Sequence, residues 1–293
     1  MFNKDIIQAK KKLLKIEKLQ KELENKAEYL RDKIHLYFDD KNIDTSQAES
    51  FIMRLFWENA YSNHYDGGYI SNSRENVDLR FLYEKTFLEK LLKQFKSKRL
   101  KALDLGCGNG RYANFFADSF QNVLGIDLNK SIIDKNNQIN LLKNLEFRSK
   151  DILDIDFCEK FDLIFVGGVF MYIHNDDDVK KTYDKLCSLL RDVNSMLVVR
   201  ESVSLNGRFD YKSVNYIAYY RDIEFYKSLG ECQIEENYGY CVGAGYLKKY
   251  FNVNKDAIEN FRNDPLSIEA AAKRYISEHT CNIRNYFFTY RKV

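Results

Sequence analysis

A single proline, Pro265, stands in 293 residues, where the usual share is about 5%. Proline-rich recognition is thereby excluded. No Cys-x-x-Cys pair occurs among the six cysteines, at 107, 158, 187, 232, 241 and 281. The four histidines, at 35, 64, 174 and 279, do not cluster with them. Neither a zinc site nor a disulfide framework is expected, and no metal is assigned. The longest uncharged apolar run, 163–173, is too short to span a bilayer as a helix. The N-terminus MFNKDIIQAKKK offers no apolar run of the kind a signal peptide needs, so a cytoplasmic setting is expected. Neither charge dominates: 46 basic residues face 43 acidic ones, for a formal charge of +3. That balance gives no electrostatic case for a nucleic-acid partner.

Hydrophobic residues make up 45% of the chain and charged residues 30%, a balance that sustains a folded core. Residues 4–38 lack Gly and Pro, and Ile16, Leu19, Leu23, Leu30 and Tyr37 recur at helical spacing. This predicts a long amphipathic helix that either lies on its own domain or pairs with a second copy as a homodimer. Ser46-Gln47-Ala48-Glu49 reads as a capping box opening a helix through about Tyr61. A polar turn follows, Ser62 to Ser73, with Gly67-Gly68 at its centre and containing His64 and Tyr69, and then a third helix at about 75–96. The turn is read either as an active-site lid or as a packed connector.

From Leu100 short apolar runs alternate with helical stretches. Strands are predicted at 101–105, 122–126, 144–148, 161–166 and 195–200, and helices at 110–119, 130–142, 176–191 and 219–229. Further strands are predicted at 232–240 and 282–291, with a helical insertion at about 246–279 between them. The expected fold is α/β: a Rossmann-like, doubly wound, mostly parallel seven-stranded sheet. Residues 1–98 form an N-terminal helical extension to it, and 99–293 the core. The aromatic stretch 211–226 is expected as a helix packed on the sheet.

The most informative stretch is Ala102-Leu103-Asp104-Leu105-Gly106-Cys107-Gly108-Asn109-Gly110-Arg111. A buried strand ends near Asp104 and breaks into three alternating glycines. A dinucleotide fingerprint needs its third glycine at 111, where this chain has Arg111. Asp104 would repel pyrophosphate and suits a cationic amino group. Asp127 closes the second strand about 20 positions on, where a carboxylate can accept two ribose hydroxyls. Asp151 and Ile152 follow the third strand, with a carboxylate for an exocyclic amine and a backbone N–H for a ring nitrogen. The fourth strand, Phe161 to Val166, runs into Gly167-Gly168-Val169-Phe170.

ALDLGCGNGRYA, LGIDLN, SKDI and FDLIFVGGVFMYI, in this order and spacing, resemble the class I S-adenosylmethionine-dependent methyltransferases over about 100–200, and more loosely to 240. The resemblance implies S-adenosylmethionine as cofactor. It implies that Gly106, Cys107, Gly108 and Gly110 wrap the methionine portion and that Asp104 supports its amino group. It assigns Asp127, with Leu128, to the ribose, Asp151 and Ile152 to the adenine, and Gly167 and Val169 to the floor near the sulfonium. The Glu-His pair the family often carries after the fourth strand is Met171-Tyr172 here. A proline-bearing Asp-Pro-Pro or Asn-Pro-Pro catalytic loop is excluded.

The methyl acceptor must come from elsewhere. Tyr172, His64, Arg200 and Glu201 are the candidate catalytic residues, with Arg200 able to grip an anion unless an acid pairs it. The expected acceptor is a small polar, anionic molecule. The A/T-rich codon bias implied by abundant Lys, Asn, Ile, Phe and Tyr suggests a bacterial source; the resemblance to the family, taken with that source, implies a sugar, sugar nucleotide or phosphorylated precursor of a surface polysaccharide. Methylation of a protein or peptide, or a non-catalytic cofactor-binding scaffold, are the alternatives.

Overall fold

The computed structural model describes residues 74–95, 101–212, 217–239 and 282–292, together with Lys21, Met53, Arg54, Phe56, Trp57 and isolated positions between 259 and 273. The helix predicted at 4–38, the turn at 62–73 with His64, and nearly all of the insertion at 246–279 lie outside the described residues.

Helix α1, Arg74–Leu92, precedes the sheet. Strand β1, Lys101–Leu105, stops where the glycines begin, and α2, Arg111–Ala117, starts where they end. Then come β2, Asn122–Asp127; α3, Lys130–Ile139; β3, Leu145–Ser149; and β4, Leu163–Gly167. A short 3-10 turn, Phe170–Tyr172, leads to α4, Asp176–Leu189, and β5, Met196–Ser204. A hairpin of β6, Phe209–Lys212, and β7, Ile217–Tyr220, precedes α5, Ile223–Leu229. Strands β8, Cys232–Glu236, and β9, Ile283–Arg291, complete the sheet.

The seven-stranded order is β3-β2-β1-β4-β5-β9-β8. Strands β1 to β5 run parallel, and β9 is antiparallel to both β5 and β8. The expected fold is thus the observed one. Apolar layers cover both faces: Leu103, Ile164, Leu197 and Leu186 sit in one cluster, and Ala102, Leu163, Val198 and Phe116 in the other. Burial on both faces is why these strands read as continuous apolar runs, not alternating ones. Strand order reverses between β1 and β4, so the crevice beyond their carboxyl ends is where such a sheet takes a ligand.

Helix starts follow their caps. The Asn129 side chain accepts from the Ile132 N–H, Asn175 from Asp177, and Asp222 from Phe225. The last cap corrects one expectation. The predicted helix 219–229 begins at Ile223, because Asp222 starts it there and the β-favouring Ile217-Ala218-Tyr219-Tyr220 pairs with β6.

Candidate active site

The glycine loop is built by backbone constraint. Gly106 and Gly110 have φ of +67° and +77°, in the left-handed region that favours glycine. A β-carbon on Gly106 would lie 2.3 Å from Val169 Cγ2, and one on Gly110 2.6 Å from Phe147 Cζ. The loop is tied to its neighbours at three points. Asp127 Oδ2 accepts from the Gly108 N–H at 2.9 Å, the Asn136 side chain donates to the Gly108 carbonyl at 2.8 Å, and the Cys107 N–H donates to Ile126 O at 2.9 Å. Asp127 Oδ1 accepts from the Asn129 N–H at 2.9 Å.

Asp104 is 1% exposed, and its Oδ2 has no hydrogen-bond partner among the described residues. Burial raises its carboxyl to about 7, and the nearby Asp127 charge adds to the rise. Burial likewise raises Asp127, against the backbone N–H groups of Asn129 and Gly108. Burial pushes the Cys107 thiol up, which disfavours the thiolate form that a nucleophile needs. Buried polar groups normally find a hydrogen-bond partner, and the free Asp104 carboxyl oxygen departs from that rule.

At the β3 end Asp151 accepts from the Leu153 N–H at 3.0 Å and meets Arg54 Nη1 at 3.3 Å. Ile152 is half-buried beside it, and Leu128 is held by the Ser149 hydroxyl donating to its carbonyl. Trp57 lies over the same edge: its carbonyl accepts from Asn129 Nδ2 at 2.9 Å, and its ring meets Tyr172 at 4.6 Å, edge to face. Residues near 53–57 therefore touch the ends of β2, β3 and β4. Met53, Ile217 and Tyr219, with Phe56 and Tyr172 against them, make an apolar roof.

The β4–β5 side is built from buried charge. Arg200 is 4% exposed; its Nε stands 3.5 Å from Glu84 Oε1, and its guanidinium packs over Tyr112 and close to Gly167 and Gly168. Glu84, fully buried, also accepts from the Tyr112 hydroxyl and from Asn237 Nδ2 at 2.6 Å. The acid that meets Arg200 is therefore Glu84, on a helix 116 positions earlier in the chain (200 − 84). Glu201 Oε1 accepts from the Val169 and Phe170 N–H groups, each at 2.8 Å, while Oε2 is buried without a partner. Burial raises the Glu201 carboxyl to about 7, opposed by Arg200 and by those two N–H groups.

The structure thus brings Asp104, Gly106, Cys107, Gly108, Gly110, Asp127, Leu128, Asp151, Ile152, Gly167, Val169, Tyr172, Arg200 and Glu201 to one edge of the sheet. His64 lies outside the described residues. Sequence reasoning passed over Asn136, Glu84, Trp57 and Arg221. None stands in a motif, and each acts on groups distant in sequence.

Residues 96–234 match a family model described as a methyltransferase domain. Those residues carry a methyltransferase domain. Over 169 residues it is 28% identical to phosphoethanolamine N-methyltransferase 1 of Triticum aestivum, covering 52% of this chain and 33% of that one. Over 181 residues it is 29% identical to phosphoethanolamine N-methyltransferase 1 of Zea mays, covering 57% of this chain and 34% of that one. The methyltransferase domain thus spans about a third of the length of these curated relatives. Among solved structures, a putative sarcosine dimethylglycine methyltransferase from Galdieria sulphuraria superposes with a TM-score of 0.51 at 14% identity, covering 83% of this chain and 98% of that one. At that identity the likeness speaks for the fold. Among the described residues no helix is long and apolar enough to cross a membrane, and no cluster suited to a metal ion occurs.

Proposed function

We propose that this protein transfers a methyl group from S-adenosylmethionine to a small polar acceptor. The observation that carries the reading is the partnerless Asp104 Oδ2, buried beside a glycine loop that Asp127 braces. A ligand with an ammonium group, a ribose and a purine fits that donor and acceptor set. Asp104 would take the amino group, the loop from Gly106 to Gly110 the amino-acid tail, Asp127 and Leu128 the ribose, and Asp151 and Ile152 the base. Gly167 and Val169 would floor the reacting end. When bound, the cofactor supplies a methyl already activated on a sulfonium. What the chain must add is position, exclusion of water, and a destination for the acceptor's proton.

The segment near 53–57 is proposed as the lid, since it contacts Asn129, Asp151 and Tyr172. Its burial against β7 would keep water from the methyl. On the acceptor side Glu201 is the best-supported base: a carboxyl near 7 with one free oxygen can take a proton at neutral pH. Tyr172 would line the acceptor. Arg200, held at Glu84, would contribute fixed positive charge rather than an open grip.

The names of the curated relatives support a phosphorylated amine as the acceptor class to try first. The surface-polysaccharide precursor that the family resemblance implies is the second. Purified protein incubated with methyl-labelled S-adenosylmethionine and, in parallel, phosphoethanolamine, a sugar nucleotide and a short peptide tests the reading. Label in either small acceptor supports it. Label in the peptide alone, or cofactor bound with no acceptor labelled from a host cell extract, overturns it.

A further inference from the structure

The turn after β4 is a three-residue 3-10 turn, and two buried charges hold it from its two sides. A three-residue 3-10 turn leaves its first N–H groups and last carbonyls without internal partners. At the N–H end, Glu201 Oε1 accepts from Val169 and Phe170. On the carbonyl side stands Arg221, 1% exposed, at the junction of β7 and α5; the Phe170 carbonyl it reaches also accepts from the Ile173 N–H. Its Nη1 donates to Phe170 O at 2.8 Å, and its Nη2 to Ile173 O at 2.6 Å and His174 O at 3.3 Å. Its Nε donates to Asp176 Oδ1 at 2.7 Å, which fixes the plane of the guanidinium. Phe225 covers the group at 5.0 Å.

This arrangement uses what distinguishes arginine. A planar fork can reach several carbonyls at fixed angles, where a lysine ammonium offers one compact charge. A buried charge gives no stability advantage over a well-packed apolar side chain unless its bonds are specific. Here three of the bonds go to carbonyls in and just after one turn, those of Phe170, Ile173 and His174. That turn carries Val169, whose side chain fills the space in front of Gly106, and Tyr172, whose ring meets Trp57. Its position sets both the floor of the glycine loop and the contact of the lid.

We infer that Arg221 is a positioning residue for methyl transfer: by gripping the carbonyls of Phe170, Ile173 and His174, it fixes the turn that shapes the cofactor floor and seats the lid. The inference rests on the cofactor reading above for its functional part. It touches no reacting atom and acts through Val169 and Tyr172.

Trp57 is the chain's single tryptophan, so its fluorescence reports directly on the turn through Tyr172. The test is Arg221→Lys in the full chain, read by Trp57 emission without ligand, by S-adenosylhomocysteine titration, and by thermal melting. The expected result is a folded variant with a shifted Trp57 emission and an affinity lower by about tenfold or more, as a turn displaced by a fraction of an ångström implies. A purely structural arginine would lower the melting temperature and leave the folded protein's emission and affinity as they were, and that outcome overturns the inference. Should Arg221→Lys not fold, Asp176→Asn at the half-exposed Nε partner serves instead. It should shift the emission in the same direction by less, and an unchanged spectrum would overturn the inference. Because emission is read without ligand, it separates failure here from failure of the cofactor reading, which wild-type titration decides.

Discussion

The two halves of the sheet's carboxyl edge are made of different materials. On the β1–β2 side the site is backbone: left-handed glycines, N–H groups and two carboxylates within a span of 24 residues, Asp104 to Asp127. On the β4–β5 side it is long-range buried charge. Glu84 binds Asn237 across 153 positions, and Arg221 binds Phe170 across 51. A loop that must approach a ligand closely admits few residues, so its half is written locally and tolerates little. The charged half is set by elements meeting in space, and no single stretch of sequence specifies it.

The sharpest way to break this contrast is Gly106→Ala. The added methyl would meet Val169 at 2.3 Å on a backbone of φ +67°. S-adenosylhomocysteine binding should vanish in calorimetry, with a stability loss of about 1–3 kcal/mol. Retained affinity would mean that the loop is not the ligand's seat. Next in size, Glu201→Gln should cut kcat by about a hundredfold while leaving cofactor affinity within a few-fold, since an amide oxygen still accepts the two N–H bonds. If affinity fell as much as turnover, the two halves would not be separable.

A third, smaller effect is pH dependence. A cation on Asp104 requires the ionised carboxylate, and Asp104 titrates at about 7. Affinity should therefore fall about eightfold between pH 7.5 and pH 6, below the range where an α-amino group loses its proton. Asp104→Asn should bind weakly and without that slope. The stability signature has the opposite sense. Raised carboxyls at Asp104 and Glu201 favour the protonated folded state, so their contribution is complete below about pH 4 and lost as pH rises to about 7. Urea titrations of the free protein at these pH values measure it. The smallest effect belongs to Arg54→Ala. The Arg54 side chain is 50% exposed, and an exposed pair contributes well under about 1 kcal/mol. Cofactor affinity should move by about twofold at most; a tenfold change would put Arg54 in direct contact with the ligand.

This contrast also explains what could be read from the chain alone. The parallel sheet and the loop were legible because βα alternation and the Gly106–Gly110 spacing are local signals. The hairpin β6–β7 was not, since Tyr219 and Tyr220 suit a buried helix and a strand equally, and only Asp222 marks where the helix begins. Arg200 was read as open to an anion or paired with an acid. Its acid is Glu84, on a helix before the sheet, which no spacing rule reaches. Arg221 sits among aromatics with no motif around it, and its burial follows only from α5 folding back over the turn.

The most direct measurement is a calorimetric titration of the purified, full-length protein with S-adenosylhomocysteine, followed in parallel by Trp57 emission. Saturable heat at a ratio of one ligand per chain, with a concurrent change at Trp57, is the predicted result. No heat and an unaltered Trp57 spectrum across the titration would contradict the account at its root.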